Sequence, residues 1–224
     1  MEGDSAHHLG RVLRAQPGQL YELSDGQQVR LGRIEKVARD RIDFALLEEI
    51  PAHQPTLDVT LLLAVVKFDA FEWAIEKATE LGVSTIVPLA SARSEKALLA
   101  AAGKRAERWT KILAEASQQS RRVRVPMLEG LSEPAQAFNG HATAAVKVML
   151  SERPDAPSLR KILQAEPARH SAVLAIGPEG GWTDAEFAAA QASGFREASL
   201  GKLILRTETA VAAALASINY ALSE

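Results

Sequence analysis

Two stretches in the last quarter of the chain carry the residue types best suited to chemistry. Ile176-Gly177-Pro178-Glu179-Gly180-Gly181-Trp182 ends one apolar run, and Leu200-Gly201-Lys202-Leu203-Ile204-Leu205-Arg206-Thr207-Glu208-Thr209-Ala210 opens an alanine-rich segment. Glycines at 177, 180, 181 and 201 permit positive φ and leave backbone N–H groups unshielded by a Cβ, which suits recognition of a ligand by main chain. Arg206, Glu179 and Glu208 set one cation and two carboxylates beside those turns. Taken singly, each turn is equally well an ordinary strand-to-helix connection with a solvated cap.

What is missing narrows the chemistry further. No Gly-x-x-x-x-Gly-Lys-Ser/Thr loop and no Gly-x-Gly-x-x-Gly fingerprint occurs, which counts against phosphate-loop enzymes, dinucleotide sites and the commoner methyltransferase fold. Gly-x-Ser-x-Gly and His-Glu-x-x-His are absent too, so hydrolases find no support. With no cysteine there is no disulfide framework, thiolate zinc site or iron–sulfur cluster. His7 and His8 are adjacent, a spacing that favours local structure over metal ligation, and no metal is expected. The polar start and the lack of an 18-residue apolar run predict neither signal peptide nor membrane span, hence a cytoplasmic protein.

The net charge of −2 argues mildly against nucleic acid, but it hides an asymmetry. Between Ser91 and Pro126 stand nine basic residues (Arg93, Lys96, Lys104, Arg105, Arg108, Lys111, Arg121, Arg122, Arg124) against three acidic ones. That strip is either a track for phosphates or a solvated helix face laced with i,i+4 pairs such as Glu107 to Lys111.

The elements that position these residues fall into two regimes. From Leu20 to Leu47, short apolar stretches at 20–23, 29–31, 34–37 and 42–47 alternate with turn signals and predict a small β unit. Ile50-Pro51-Ala52-His53-Gln54-Pro55 reads as the linker, placing domains at 1–52 and 56–224. Beyond it strands at 57–66, 83–89, 123–128, 144–150 and 172–176 alternate with helices at 69–81, 102–119, 158–165 and 183–193, the pattern of a parallel α/β sheet. Asp69 and Glu72 are candidate caps for the first of those helices, Trp73 lies off its apolar stripe, and Thr183-Asp184-Ala185-Glu186 has capping-box form. In an open sheet of this kind ligands sit at the C-terminal strand ends.

The paired motifs, in this order, resemble the 16S ribosomal RNA uridine-N3 methyltransferases of the RsmE type, in the SPOUT superfamily. The likeness extends to Phe71–Val83, to Pro88-Leu89-Ala90-Ser91-Ala92-Arg93-Ser94, to Glu115–Ser120, and to His7-His8-Leu9 and Val12-Leu13-Arg14. It implies a parallel sheet with a C-terminal deep trefoil knot and a small barrel-like N-terminal PUA-like domain for RNA. It implies S-adenosyl-L-methionine held by Leu89, Gly177, Pro178, Glu179, Gly180, Gly181, Leu200, Gly201, Leu205, Thr207 and Thr209. Arg206 is the candidate cation for a deprotonating uracil, with Glu179 and Glu208 as bases or as loop-orienting acceptors. Arg11, Arg14, Arg93, Arg121, Arg122 and Arg124 are the RNA contacts.

The resemblance further implies methylation of N3 of one uridine in 16S ribosomal RNA of the small subunit, by a homodimer. The Ala210–Ala216 run fits either that dimer or an intramolecular helix packing. The alternatives are a non-catalytic ribosome assembly protein and a SPOUT enzyme acting on another RNA. Some positions depart from the family pattern. Lys202-Leu203 replaces Pro-Arg, Phe68 and Arg121 replace common glycines, Gln118 replaces glutamate, and Met1–Ala6 cannot supply the usual aromatic-rich first strand. The expectation is that either the chain is shortened or its β unit is incomplete.

Overall fold

The structure is a computed structural model describing residues 1–51, 57–165 and 170–222. The chain divides into two compact units, Met1–Gln54 with Arg122–Arg124, and Pro55–Arg121 with Val125–Glu224. Most of the expected linker, residues 52–55, lies outside the described residues.

The first unit is an antiparallel sheet in the order β1 (Leu20–Ser24), β2 (Val29–Val37), β3 (Ile42–Ile50). The stretches 29–31 and 34–37, expected as separate, form the single strand β2, whose pairing with β3 shifts register at Arg30/Gly32 and Ile34/Lys36. Such bulges let one strand bend without a turn. The β1–β2 turn is closed by the Asp25 carboxylate, which accepts the Gln27 and Gln28 N–H groups at 2.8 Å each, and these bonds hold its pKa below the usual carboxylate range. Ahead of the sheet runs α1 (Gly3–His7) and a π-helical turn, His8–Val12, which buries Leu9 against Ala6, Ala15, Ile34 and Ile42.

At the very start, Glu2 bridges Arg41 and the Ile42 N–H donates to the Met1 carbonyl at 2.9 Å. The opening residues thus give a single bridge and a helix in place of a strand. Arg11 and Arg14 are exposed. Arg122–Arg124 run beside the β1–β2 turn: Ser24 Oγ donates to Val123 O and Arg124 Nε to Gly26 O, both at 3.0 Å.

The second unit is a six-stranded parallel sheet. Its order is β6 (Met127–Leu128), β5 (Thr85–Leu89), β4 (Asp58–Ala64), β8 (Ser171–Ile176), β7 (Val146–Leu150), β9 (Arg196–Ala198). Its central strands are apolar on both faces, as strands sandwiched between helices must be. Leu61 and Leu63 of β4 and Leu174 and Ile176 of β8 enter one core; Leu62, Val173 and Ala175 enter the other. The larger core is covered by α2 (Phe68–Glu80), α4 (Ala106–Gln119), α6 (Leu159–Gln164) and α8 (Thr207–Leu222), the smaller by α5 (Pro134–Gly140) and α7 (Asp184–Ala192).

Several local expectations change. The helix expected at 102–119 is α3 (Lys96–Ala102), a 3-10 turn at Gly103–Arg105, and α4. The strand expected at 123–128 shrinks to Met127–Leu128. Neither Asp69 nor Glu72 caps α2, whose N-cap is Lys67 without a side-chain bond. Glu72 instead turns inward, 8% exposed, and takes both oxygens to Arg108 Nε at 2.9 and 2.8 Å, with Arg105 Nη1 at 3.5 Å.

Arg105 also stacks over Phe68 at 4.5 Å, and Lys111 pairs with Glu115, not Glu107, at 3.9 Å. The basic strip is therefore not one track: part is spent clamping α2 to α4, and Arg122–Arg124 belong to the other unit. Arg108→Ala leaves the Glu72 carboxylate poorly paired, and should cost about 1 kcal/mol in a urea denaturation curve. The figure is moderated because the Arg108 side chain is largely exposed.

Candidate active site

A cleft of about 700 Å³ lies in the second unit at the C-terminal ends of β7 and β8 and beyond β9. This is the strand-end location where open α/β sheets place ligands. Two glycine turns and the loop after β7 line it.

The first turn leaves β8 at the buried Ile176. Gly177 is needed there because of its neighbour: a Cβ would lie 2.9 Å from Cε2 of Trp182. The buried indole fills that space and donates Nε1–H to Leu150 O at 2.9 Å, tying the turn to the end of β7. Of the three glycines in this turn only Gly181 takes a positive φ, +69°, and its N–H closes the turn on Pro178 O at 2.8 Å. Gly180 is in contact with Arg93, whose Nη1 donates to the Gly180 carbonyl at 2.7 Å. Thr183 then caps α7 with the reciprocal capping box read from the sequence.

The second turn follows β9. Gly201 has φ +133°, outside the range that other L-residues adopt readily, with nothing near the position of a Cβ. From Leu200 to Leu205 the backbone makes no hydrogen bond with any described residue, so its N–H and C=O groups are open to a ligand. Thr207 Oγ1 donates to Gly177 O at 3.4 Å, joining the second turn to the first. Gly201→Ala should strain this turn by about 1–3 kcal/mol and weaken binding of the cleft's ligand about tenfold in calorimetric titration, while a control at the exposed Thr209 leaves it unchanged.

The cleft brings together Gly177, Pro178, Glu179, Gly180, Gly181, Leu200, Gly201, Leu205, Arg206 and Thr207. Arg206 and Glu179 are exposed on its rim, and neither side chain has a hydrogen bond or ion pair among the described residues. Three expected residues are elsewhere. Leu89 is fully buried, with its carbonyl taken by Val65 N–H, while Thr209 and Glu208 lie on α8 outside the cleft lining. Arg93, expected on RNA, lines the cleft instead. Arg11, Arg14, Arg122 and Arg124 lie in the first unit, and Arg121, two residues past α4, has φ +55°, a left-handed conformation that glycine adopts more readily.

The sequence reading missed the loop Leu150–Pro154. Its Arg153 stacks over Phe187 at 3.7 Å and donates Nη2 to Asp184 at 2.6 Å. The signal was available, since Ser151-Glu152-Arg153 directly follows an apolar strand in a parallel sheet. Among the described residues no group of three or more His, Cys, Asp or Glu is placed to hold a metal, and no helix is long and apolar enough to cross a membrane.

The two units, with a ligand cleft on the parallel sheet of the second, are those of an RNA methyltransferase by their match to known families. Residues 53–219 match the family model of an RNA methyltransferase domain and residues 2–47 that of an RNA methyltransferase PUA domain. A protein of Synechocystis sp. named ribosomal RNA small subunit methyltransferase E is 37% identical over 95% of this chain and 70% of its own length. The Bacillus subtilis protein of the same name is 32% identical over 97% of this chain and 88% of its own.

Among solved structures, the Neisseria gonorrhoeae ribosomal RNA small subunit methyltransferase E bound to S-adenosyl methionine superposes with a TM-score of 0.90. It is 30% identical, over 100% of this chain and 91% of that one. A methyltransferase from Legionella pneumophila, in complex with the cofactor SAM, gives 0.87 at 28% identity over 99% and 90%. The chain belongs to the ribosomal RNA small subunit methyltransferase E family.

Proposed function

We propose that this protein transfers the methyl group of S-adenosylmethionine to N3 of one uridine in the 16S ribosomal RNA of the small ribosomal subunit. The observation that carries the reading is the unengaged Arg206 on the rim of a cleft floored by two glycine turns. The relatives' name and the cofactor in the Neisseria structure support it.

The residues present fit the cofactor. A volume of about 700 Å³ is in the usual range for small-molecule sites, and the 200–205 backbone offers unpaired groups to an adenine edge. Gly177, Pro178, Gly180, Gly181, Leu200, Gly201, Leu205 and Thr207 would hold it. When bound, the cofactor supplies an electrophilic methyl group. The chain must prepare the acceptor: uracil N3 carries a proton, and its lone pair is useful only as that proton leaves. Arg206 stabilises the negative charge then spread over O2 and O4, and Glu179, exposed on the same rim, takes the proton. Glu208, off the cleft, contributes at most as an acidic residue in the first turn of α8.

We assign RNA capture to the unit spanning 1–52, with Arg11, Arg14, Arg122 and Arg124 on phosphates, Arg121 as a further contact, and a barrel-like closure of its sheet. The second domain, 56–224, takes the SPOUT trefoil knot around the two turns, and the enzyme acts in the cytoplasm as a homodimer. The exposed Leu203 and Ile204 beside the cleft, and separately the exposed Tyr220 near the C-terminus of α8, support docking of a second copy.

The test is transfer from labelled S-adenosylmethionine to small subunits lacking the modification, followed by digestion and mass spectrometry. Appearance of 3-methyluridine at one position is expected. Label in another nucleoside overturns the substrate, and cofactor binding without transfer favours an assembly factor.

A further inference from the structure

We infer that Glu186 and Arg93 are positioning residues that join the loop after β5 to the glycine turn after β8, making one rigid side of the cleft. The inference rests on the reading of that cleft as the cofactor site. Glu186 is 8% exposed and uses both carboxylate oxygens. Oε2 accepts from the Thr183 N–H at 2.7 Å, the half of the capping box that answers the Glu186 N–H bond to Thr183 Oγ1, and also from the Thr183 hydroxyl at 2.7 Å. Oε1 accepts from the Ala92 N–H at 2.9 Å, a residue 94 positions away in the chain, which a helix cap does not require.

The neighbouring residue adds a second tie, donated from the same loop to the glycine turn that leads into α7. Arg93 Nη1 donates to Gly180 O at 2.7 Å, and its stem lies so close that a Cβ on Gly180 would meet Arg93 Cβ at 3.2 Å. One bond runs from the 90–94 loop to a carboxylate on α7, the other from the loop to a carbonyl in the glycine turn, and both are charge-assisted. The hydroxyls of Ser91 and Ser94 are buried without a partner among the described residues, so there the loop's side-chain ties to this turn come through Arg93 and Glu186. Glu186 receives three donors from two residues, and an amide cannot replace it: glutamine has a single accepting oxygen, and its NH2 would face an N–H.

The brace fixes the Gly180 carbonyl, and with it the direction of the neighbouring peptide groups that face the cleft. It is made before any ligand arrives, which lowers the ordering cost of binding.

The experiment combines cofactor titration with amide hydrogen exchange on the unliganded protein, for wild type, Glu186→Gln, Arg93→Ala, Arg93→Lys and the Glu186→Gln/Arg93→Ala double variant. Each single loss should weaken cofactor binding about tenfold, and the double should weaken it by little more, because one brace is broken twice. Arg93→Lys, which keeps a donor for Gly180 O, should recover most of the affinity. Exchange at 90–94 and 177–183 should accelerate together in either single variant.

Unchanged exchange, or an effect near a hundredfold in the double variant, overturns the brace. Failure of the wild type to bind cofactor sinks the proposed function, whereas the exchange data judge the brace regardless.

Discussion

Arg206→Ala is expected to lower methyl transfer to small ribosomal subunits by about 10²- to 10³-fold with cofactor affinity nearly unchanged, the size of effect seen when a preorganised charge is removed from a developing anion. The guanidinium is exposed and has no partner among the described residues, so its removal breaks no internal contact and should leave stability intact. The loss should also shrink as pH rises. Hydroxide then removes the N3 proton without help, so the variant's rate climbs more steeply with pH than that of the wild type. Single-turnover rates across a pH series measure both effects. A variant with wild-type rate and an unchanged profile would remove Arg206 from the mechanism.

Gly177→Ala is the second large effect, and it acts through packing. The added methyl would sit 2.9 Å from Cε2 and 3.1 Å from Nε1 of Trp182, and the ring cannot simply retreat, because its N–H is bonded to Leu150 O and its face packs near Phe138 at 6.0 Å. Overpacking a site of this kind costs about 1–3 kcal/mol. The indole should shift, pull on the end of β7, and reshape the cleft from the side that carries Arg153. Thermal denaturation should show the loss of stability, tryptophan fluorescence a changed environment, and titration a weakened cofactor. An unchanged melting temperature and affinity would mean that the ring has room not evident in the structure.

The sheet was legible because its strands are short apolar runs between amphipathic helices, and Thr183 with Glu186 declared the start of α7 from four residues alone. The glycine turns were legible as a ligand site, but not the separate reason for each glycine. Gly177 answers to an indole five residues ahead, Gly180 to an arginine 87 residues earlier, and Gly181 and Gly201 to their own backbone angles. Periodicity carries no information about such long-range contacts. The same limit explains Leu89 and Arg93: one faces the core and the other the cleft although they are four residues apart, because β5 ends between them. Glu72 looked like a cap from its place in the first turns of α2, yet Arg108 on α4 and Arg105 in the turn before it decide its direction.

The order of strands carries one more consequence. β4 begins the larger unit, yet its two neighbours are β5 and β8, and α8 completes the core around β4 with Val211, Ala214, Leu215, Ile218 and Leu222. The middle of the sheet therefore cannot close while the chain is being made, until residue 176 has cleared the exit tunnel, and the core cannot seal before residue 222 has done so. Folding of this unit is expected to be slow, because its sheet is built from pairings between distant segments. During translation β4 waits as an unpaired apolar edge. A protein that modifies ribosomal RNA thus depends on its own ribosome releasing every residue through Leu222 before this domain can complete its core.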